Sequence, residues 1–249
     1  MCVFIYYICF TMEGNEHDDA KKSLLESLNE LYKLSENKVL SQAHCLFMTV
    51  YVIALQTGFI PQSFIVNRLK GLVPLDSWST THKSNMKICC SQPPSYHCDS
   101  PHETYFSENF ISALKSEEED KLKSKLIALV TGDFMMLTLS PHPSTNLLGR
   151  SSCLSIGRYV IDQSEGKNSL DSCYQKLDQL QNQLRNELFV PLRMDQLTLL
   201  GAFPLPSFMG IPRELRIEIY KHLISKELHK LQRVSKEILL EIKIFRNKI

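Results

Sequence analysis

Residues 125–139, with the sequence KLIALVTGDFMMLTL, decide the fold class of this chain. Two short apolar runs, 125–130 and 134–139, flank the segment Thr131-Gly132-Asp133. Apolar runs of this length on either side of a glycine-containing loop are typical of a β-hairpin. Prolines at positions 141 and 143 end the second run, because proline lacks the amide hydrogen that a strand ladder needs. The stretch therefore predicts two antiparallel strands in the middle of the chain.

Two helices are predicted before this hairpin. Leucines recur at three- and four-residue steps over residues 19–34, and residues 41–57 carry apolar side chains almost all round the helix. The second helix is expected to be central and buried, since an amphipathic surface helix would keep a polar face. Gly58 is placed to close it and Pro61 to prevent its continuation.

The pattern is less regular between and after these elements. We predict a mixed apolar connection over 64–75, a strand over 85–90 and a helix within 103–123, and we expect the tryptophan at position 78 to be buried. A further strand is predicted over 153–161, and an amphipathic helix over 169–197 that Pro191 should kink or end. A small antiparallel sheet between helices makes the fold class α+β, not a regular βαβ arrangement.

Composition and charge narrow the functional classes. The chain has 249 residues, 43% of them hydrophobic, which is enough for a real core and for one or two domains. Lys and Arg number 28 against 27 for Asp and Glu. This balance argues against a dedicated nucleic-acid-binding protein, which would show a concentrated basic excess.

The ends of the chain and one internal segment stand apart from the core pattern. Residues 1–10 are apolar but only about half as long as a membrane span. We therefore interpret residues 1–18 as an uncertain leader, with Met1 or Met12 as the initiator. Residues 91–123 combine a proline-containing loop with a charged run and are predicted to be an insertion with a solvated surface.

No catalytic motif with a recognisable mechanism occurs in the sequence. A Walker A loop, G-x-G-x-x-G, G-x-S-x-G and H-E-x-x-H are all missing. We therefore predict a protein that is not an enzyme and that uses no cofactor and no catalytic residue.

The eight cysteines include no C-x-x-C pair and are too few for a disulfide scaffold. We expect reduced thiols and a cytoplasmic or nuclear location. One group, Cys89, Cys90, His97, Cys98 and His102, contains zinc-ligand residue types. Its spacing lacks the usual close cysteine pair, and adjacent residues on a strand point to opposite faces. We interpret these as incidental thiols and histidines in a loop and predict no metal site.

The last 45 residues form a separate, basic segment. They carry ten Lys or Arg against five Glu and contain two short apolar helical patterns after the prolines at 204 and 206. Such short helices cannot fully bury their apolar faces alone. They need the preceding domain or a partner protein.

Residues 205–238, LPSFMGIPRELRIEIYKHLISKELHKLQRVSKEI, resemble an F-box. The resemblance rests on an apolar-Pro pair, a Glu-Leu step, two leucine-containing helices and a Val-Ser-Lys segment. It implies contacts with a Skp-type adaptor through a set of apolar residues. These are Ile211, Pro212, Leu215, Ile219, Leu223, Leu228, Leu231 and Val234.

The upstream sequence resembles the FP domain, a module that certain F-box proteins share with a proteasome inhibitor. The segments that carry this resemblance are ALQTGFIPQS at 54–63, Trp78, the hairpin at 126–140 and CYQKLDQLQNQLRNELFVPL at 173–192. The resemblance predicts an FP-like domain over 19–200 and an F-box over 205–249. The family's F-box continues into a third helix with a late tryptophan, so we expect this one to be incomplete.

The resemblance implies a substrate-receptor subunit of a Skp–cullin–F-box (SCF) ubiquitin ligase. Its partners would be the Skp adaptor and cullin, protein substrates, and a second FP domain, from another copy or from the proteasome inhibitor. The alternative is an FP-domain proteasome regulator whose F-box is vestigial and packs on its own chain. The sequence leaves sheet edges and helix faces open as dimer surfaces.

Overall fold

The computed structural model describes residues 16–34, 40–67, 72, 83–112, 119–161, 173–200, 213–233, 238–239, 242–243 and 245. The chain divides into two compact units, Met1–Leu200 and Gly201–Ile249. The predictions for residues 1–15, for Trp78 and for residues 201–212 fall outside the described residues. The domain limits 19–200 and 205–249 stay predictions.

The first unit is built around a buried helix. Helix α1 spans Glu16–Leu34 and α2 spans Gln42–Gln56. The backbone amide of His44 donates to the Ser41 hydroxyl, which caps α2 at its start. All side chains from Cys45 to Leu55 are buried. Gly58 follows with φ of 93°, a conformation that suits glycine. The predicted central helix over 41–57 and its glycine stop are therefore confirmed.

A six-stranded antiparallel sheet lies against this helix. The strands are β1 (Phe59–Pro61), β2 (His97–Cys98), β3 (Tyr105–Ser112), β4 (Lys123–Thr131), β5 (Phe134–Pro141) and β6 (Arg150–Ser155). The strand order is β1-β3-β4-β5-β6, and β2 pairs with β3 beside that path. The remaining short helices of the first unit are α3 (Gln62–Val66), α4 (Lys83–Cys90), α5 (Glu119–Leu122) and α6 (Ile156–Tyr159). The α+β class predicted from the sequence is confirmed.

The predicted hairpin is formed by β4 and β5 and is longer than expected. Thr131 pairs with Phe134, so only Gly132 and Asp133 form the turn. Gly132 has φ of 56°, which a two-residue hairpin turn requires of its first position. The ladder then runs without interruption to the pair Ser124–Pro141.

Two predicted elements have the wrong type. Residues 85–90 lie in helix α4, not in a strand, and the run was too short for its period to distinguish the two. Residues 105–112 form strand β3 within the segment predicted as a helix. Glu108 faces inward in this strand. An acidic residue is normally expected to face solvent, so the sequence did not show the alternation of apolar and polar residues that indicates a strand.

The strand predicted over 153–161 is correct only at its start. Strand β6 ends at Ser155, and α6 follows directly. Val160 then forms an isolated bridge with Tyr174. The connection predicted over 64–75 begins within helix α3.

The helix predicted over 169–197 begins only at Leu177 and contains a π-helical turn. The prediction is wrong for residues 173–176, because Tyr174 pairs with Val160 in a β-bridge there, and residues 169–172 fall outside the described residues. Helix α7 spans Leu177–Leu184, the π turn spans Arg185–Phe189 and α8 spans Val190–Leu199. The Val190 amide donates to the Arg185 carbonyl, five residues back. This wider turn lets Pro191 begin α8 without ending the helix, because the usual four-residue bonding pattern is already broken there.

The helices cover one face of the sheet, which we call the inner face. Its strand residues join α1, α2, α7 and α8 in a single buried cluster. The inner-face residues of that cluster are Phe106, Phe110, Leu126, Ala128, Met135, Leu137, Leu139 and Leu154. The side chain of Gln196 in α8 forms two hydrogen bonds to the sheet. Its carbonyl oxygen accepts from the Ser112 hydroxyl, and its amide nitrogen donates to the Lys123 backbone carbonyl.

Candidate partner-binding surfaces

The described part of the C-terminal unit contains two short helices, further helical residues at 238–239, 242–243 and 245, and a core cluster of its own. Helix α9 spans Arg213–His222 and α10 spans Ser225–Leu231. Five side chains form a cluster of their own, in which the rings of Tyr220 and Phe245 lie 5.8 Å apart. The members are Tyr220, Leu228, Ile238, Ile242 and Phe245.

The predicted adaptor-binding residues separate into exposed and buried groups. Leu215 is 57% exposed, and Ile219 and Leu223 continue from it at four-residue steps with half-buried side chains. Leu231 is also half-buried, whereas Leu228 is 7% exposed and belongs to the core cluster. Leu228 is thus a core residue of the described unit, and its role in adaptor binding stays a prediction. Ile211, Pro212 and Val234 lie outside the described residues.

One exposed apolar side chain of this unit was missed from the sequence. Ile224 is 63% exposed and precedes α10 in the turn after α9. Its amide donates to the Glu227 carboxylate at 3.1 Å, which holds the turn. Helical spacing could not single it out, because it lies between the two periodic runs.

The polar groups on the outside of α9 form local pairs. Lys221 Nζ lies 2.7 Å from Glu218, and this contact lowers the pKa of the Glu218 carboxyl. Lys226, His229 and Lys230 of α10 are exposed. The unit therefore presents apolar side chains with a mixed, largely basic surround, which is common at protein-binding surfaces.

A second apolar surface lies on the sheet face opposite the helices, which we call the outer face. Tyr105, Leu129, Met136 and Cys153 are directly paired across β3, β4, β5 and β6. Leu129 is 47% exposed and Met136 54%. Phe134, beside this row on β5, is also 54% exposed. We refer to these five residues as the outer row.

The sequence contained a signal for the outer row that the hairpin prediction did not use. Both hairpin strands carry apolar residues at odd and even positions, as in Leu126-Ile127 and Met135-Met136. Strands that are apolar on both faces are usually covered on both faces. The described helices bury the inner face, whereas Leu129, Phe134 and Met136 on the outer face stay about half exposed.

Within the described ranges, no helix is both long enough and apolar enough to cross a membrane.

The fold defines the general class, which is an α+β unit followed along the chain by a small helical unit. No protein-family model matches the chain. The chain is 31% identical over 219 residues to Protein nutcracker of Drosophila melanogaster, and the match covers 84% of this chain and 68% of that protein. The chain therefore belongs to the nutcracker family, and the FP-domain F-box resemblance predicted from its sequence is confirmed.

Proposed function

We propose that this protein is a non-catalytic substrate receptor of an SCF-type ubiquitin ligase, working in the cytoplasm or nucleus. The C-terminal unit would bind a Skp-type adaptor, and through it cullin. The outer face would bind a second FP domain, of another copy or of the FP-domain proteasome inhibitor. Membership of the nutcracker family supports this proposal, and so do the exposed apolar side chains of both units.

The observation that carries the adaptor-binding proposal is the exposure of Leu215 and Ile224. Both belong to a unit whose described residues form a core cluster of five buried side chains, which includes neither of them. Burying one such side chain in a protein interface is worth about 1.5–3 kcal/mol. A Skp-type adaptor with an apolar helical surface would supply that burial and extend the small core.

The first experiment measures adaptor affinity by calorimetry with the full chain. We expect Leu215→Asp to weaken binding of the purified Skp adaptor at least tenfold, since truncating a central apolar anchor costs about 2 kcal/mol or more. Ile224→Asp should weaken it as well. Leu148→Asp is the matched control, because Leu148 is 79% exposed in the first unit. Equal affinity of the wild type and the Leu215 variant, or no binding by the wild type, would reject the adaptor role.

The outer row carries the proposal for the FP-domain partner. It presents apolar side chains on four neighbouring strands, in direct cross-strand register. A second sheet face of the same kind can pack on such a row at about 10 Å. The sequence left sheet edges and helix faces open for this contact, and the half-exposed outer row favours the sheet face.

The second experiment is sedimentation of the full chain alone and mixed with the FP-domain proteasome inhibitor. We expect Met136→Asp to abolish the complexes that the wild type forms, because it places a charge in the middle of the apolar row. Leu148→Asp should leave them intact. Complexes that persist in the Met136 variant would exclude the outer face. If this test succeeds and the adaptor test fails, the protein is the non-ligase FP-domain regulator.

A further inference from the structure

A histidine, a cysteine and a glutamate meet at the start of α2, and none of them belongs to the residues assigned to the partner-binding surfaces. They are His44, Cys98 and Glu103, and their candidate ligand atoms all lie within 4.8 Å of one another. His44 Nδ1 is 2.9 Å from a Glu103 carboxylate oxygen. All three residues are partly buried, so the cluster is shielded but still open to solvent. No other group of three such residues occurs in the described part of the chain.

The histidine ring is held in the orientation that a metal ligand needs. Its Nε2 atom lies 2.9 Å from the hydroxyl of Tyr96, on the side away from Glu103. The Phe106 ring packs edge-on against the imidazole at 5.6 Å. Histidines that ligate metals through one nitrogen usually have the other fixed by a hydrogen bond in this way. Nδ1 is therefore the nitrogen turned towards Cys98 and Glu103.

The other two ligands are held by the backbone. Cys98 lies on β2, paired with Phe106 of β3. Glu103 has φ of 50°, a left-handed conformation that is unfavourable for a residue with a side chain. The loop maintains it, since the Glu103 amide donates to the Asp99 carbonyl and the Asp99 carboxylate accepts from the Tyr105 amide. Backbone strain of this kind concentrates at ligand sites.

We propose that His44 Nδ1, Cys98 Sγ and a Glu103 carboxylate oxygen bind a zinc ion, with water as the fourth ligand. Nitrogen, thiolate and carboxylate are the ligand types of zinc. Zinc bonds of about 2.0 Å at tetrahedral angles place nitrogen and oxygen ligands about 3.3 Å apart. The observed 2.9 Å contact needs to open by only a few tenths of an ångström, with the ion replacing the shared proton.

Such an ion would connect two parts of the chain that are distant in sequence. It would join the first turn of α2 to strand β2 and to the loop that leads into β3, and so fix residues 96–105 against the helix. This is a structural role, and its test below does not depend on the proposed adaptor and FP-domain contacts. It also replaces the expectation of no metal site: of the five cysteines and histidines weighed in the sequence, only Cys98 takes part, and His44 and Glu103 come from outside that group.

The test is cobalt and zinc binding to the metal-free full chain. Cobalt(II) substitutes for zinc and gives a charge-transfer absorption band when bound by a thiolate. We expect one cobalt ion per chain, a thiolate band that added zinc removes, and a zinc-dependent rise in Tm. Cys98→Ser should abolish the band and lower zinc affinity more than tenfold. Cys153→Ser is the matched control and should change neither, because Cys153 is an exposed thiol on the outer face.

A further variant separates a ligand effect from a folding effect. Tyr96→Phe removes only the hydroxyl that orients His44, so it should weaken zinc binding about tenfold while keeping the cobalt–thiolate band. Circular dichroism of each metal-free variant checks that it is folded. Absence of stoichiometric cobalt binding by the wild type, or an unchanged band in folded Cys98→Ser, would overturn the proposal.

Discussion

The two compact units treat their apolar side chains differently. In the first unit, α2 is buried from Cys45 to Leu55 and the inner face of the sheet packs against helices. In the C-terminal unit, five buried side chains form the core cluster, while Leu215 and Ile224 remain mostly exposed. The first unit therefore buries its apolar side chains within its own fold, whereas the second exposes apolar side chains that the proposed adaptor would bury.

The largest effect should come from the core of the first unit. Phe47 is fully buried and stacks on Phe106 with ring centroids 4.8 Å apart. We expect Phe47→Ala to lower the free energy of unfolding by about 3–5 kcal/mol, since it leaves a cavity in a closed core. Denaturant titration measures the change. Leu148→Ala is the control, and it should change the free energy of unfolding by less than about 0.5 kcal/mol. A loss as small as that of the control would mean that this core is not closed.

A smaller effect is expected in the core of the C-terminal unit. Leu228→Ala should cost about 2 kcal/mol, at the low end for a buried leucine, because so small a cluster can collapse around the gap. Hydrogen exchange of the α9 amides in the full chain measures the loss within this unit alone. Added Skp adaptor should restore part of the protection. Full protection in the variant without adaptor would show that the unit does not depend on this leucine.

The smallest effect concerns a buried acid in the core of the first unit. Glu108 faces inward, accepts hydrogen bonds from Ser95 and the Asn109 amide, and has its pKa raised by burial. An acid whose pKa is raised on folding stabilises the fold while protonated and loses that contribution as pH rises from its unfolded pKa through its folded pKa. Glu108→Gln should therefore raise Tm at pH 7 by roughly 1–3 °C.

That gain should shrink as the pH is lowered towards about 4.3, the usual pKa of a glutamate in an unfolded chain, and disappear at lower pH, because the carboxyl then becomes protonated in the folded and the unfolded chain alike. Thermal unfolding of both proteins at several pH values measures this. A gain in Tm that is the same at every pH would contradict the assignment of the effect to the buried charge.

The elements predicted correctly from the sequence are those whose hydrophobic pattern is compatible with only one type of secondary structure. The hairpin had a glycine turn between two apolar runs, and α2 had an apolar surface on every side with a glycine stop. The helical segment 83–90 was ambiguous because eight residues hold little more than two helical turns. Strand β3 was hidden by Glu108, whose inward placement depends on Ser95 from a distant loop, a tertiary contact that no local pattern records.

The exposed apolar residues were only partly predictable from the sequence. Leu215, Ile219 and Leu223 followed from helical spacing, while Ile224 and the outer row did not. Exposure on the outer row depends on which face of the sheet the helices select. The cluster of His44, Cys98 and Glu103 joins residues 59 positions apart in the chain, so their spacing in sequence carried no signal.

The π turn before Pro191 determines which side chains of helix α8 face the sheet. One residue advances a helix by about 100° and 1.5 Å, so deleting any residue within Arg185–Phe189 would swing α8 round by that angle. Gln196 would then leave Ser112, to which it is now bonded, and its amide would face away from the sheet. Residue count in this segment is thus constrained more tightly than residue identity, and relatives should conserve its length even where its side chains vary.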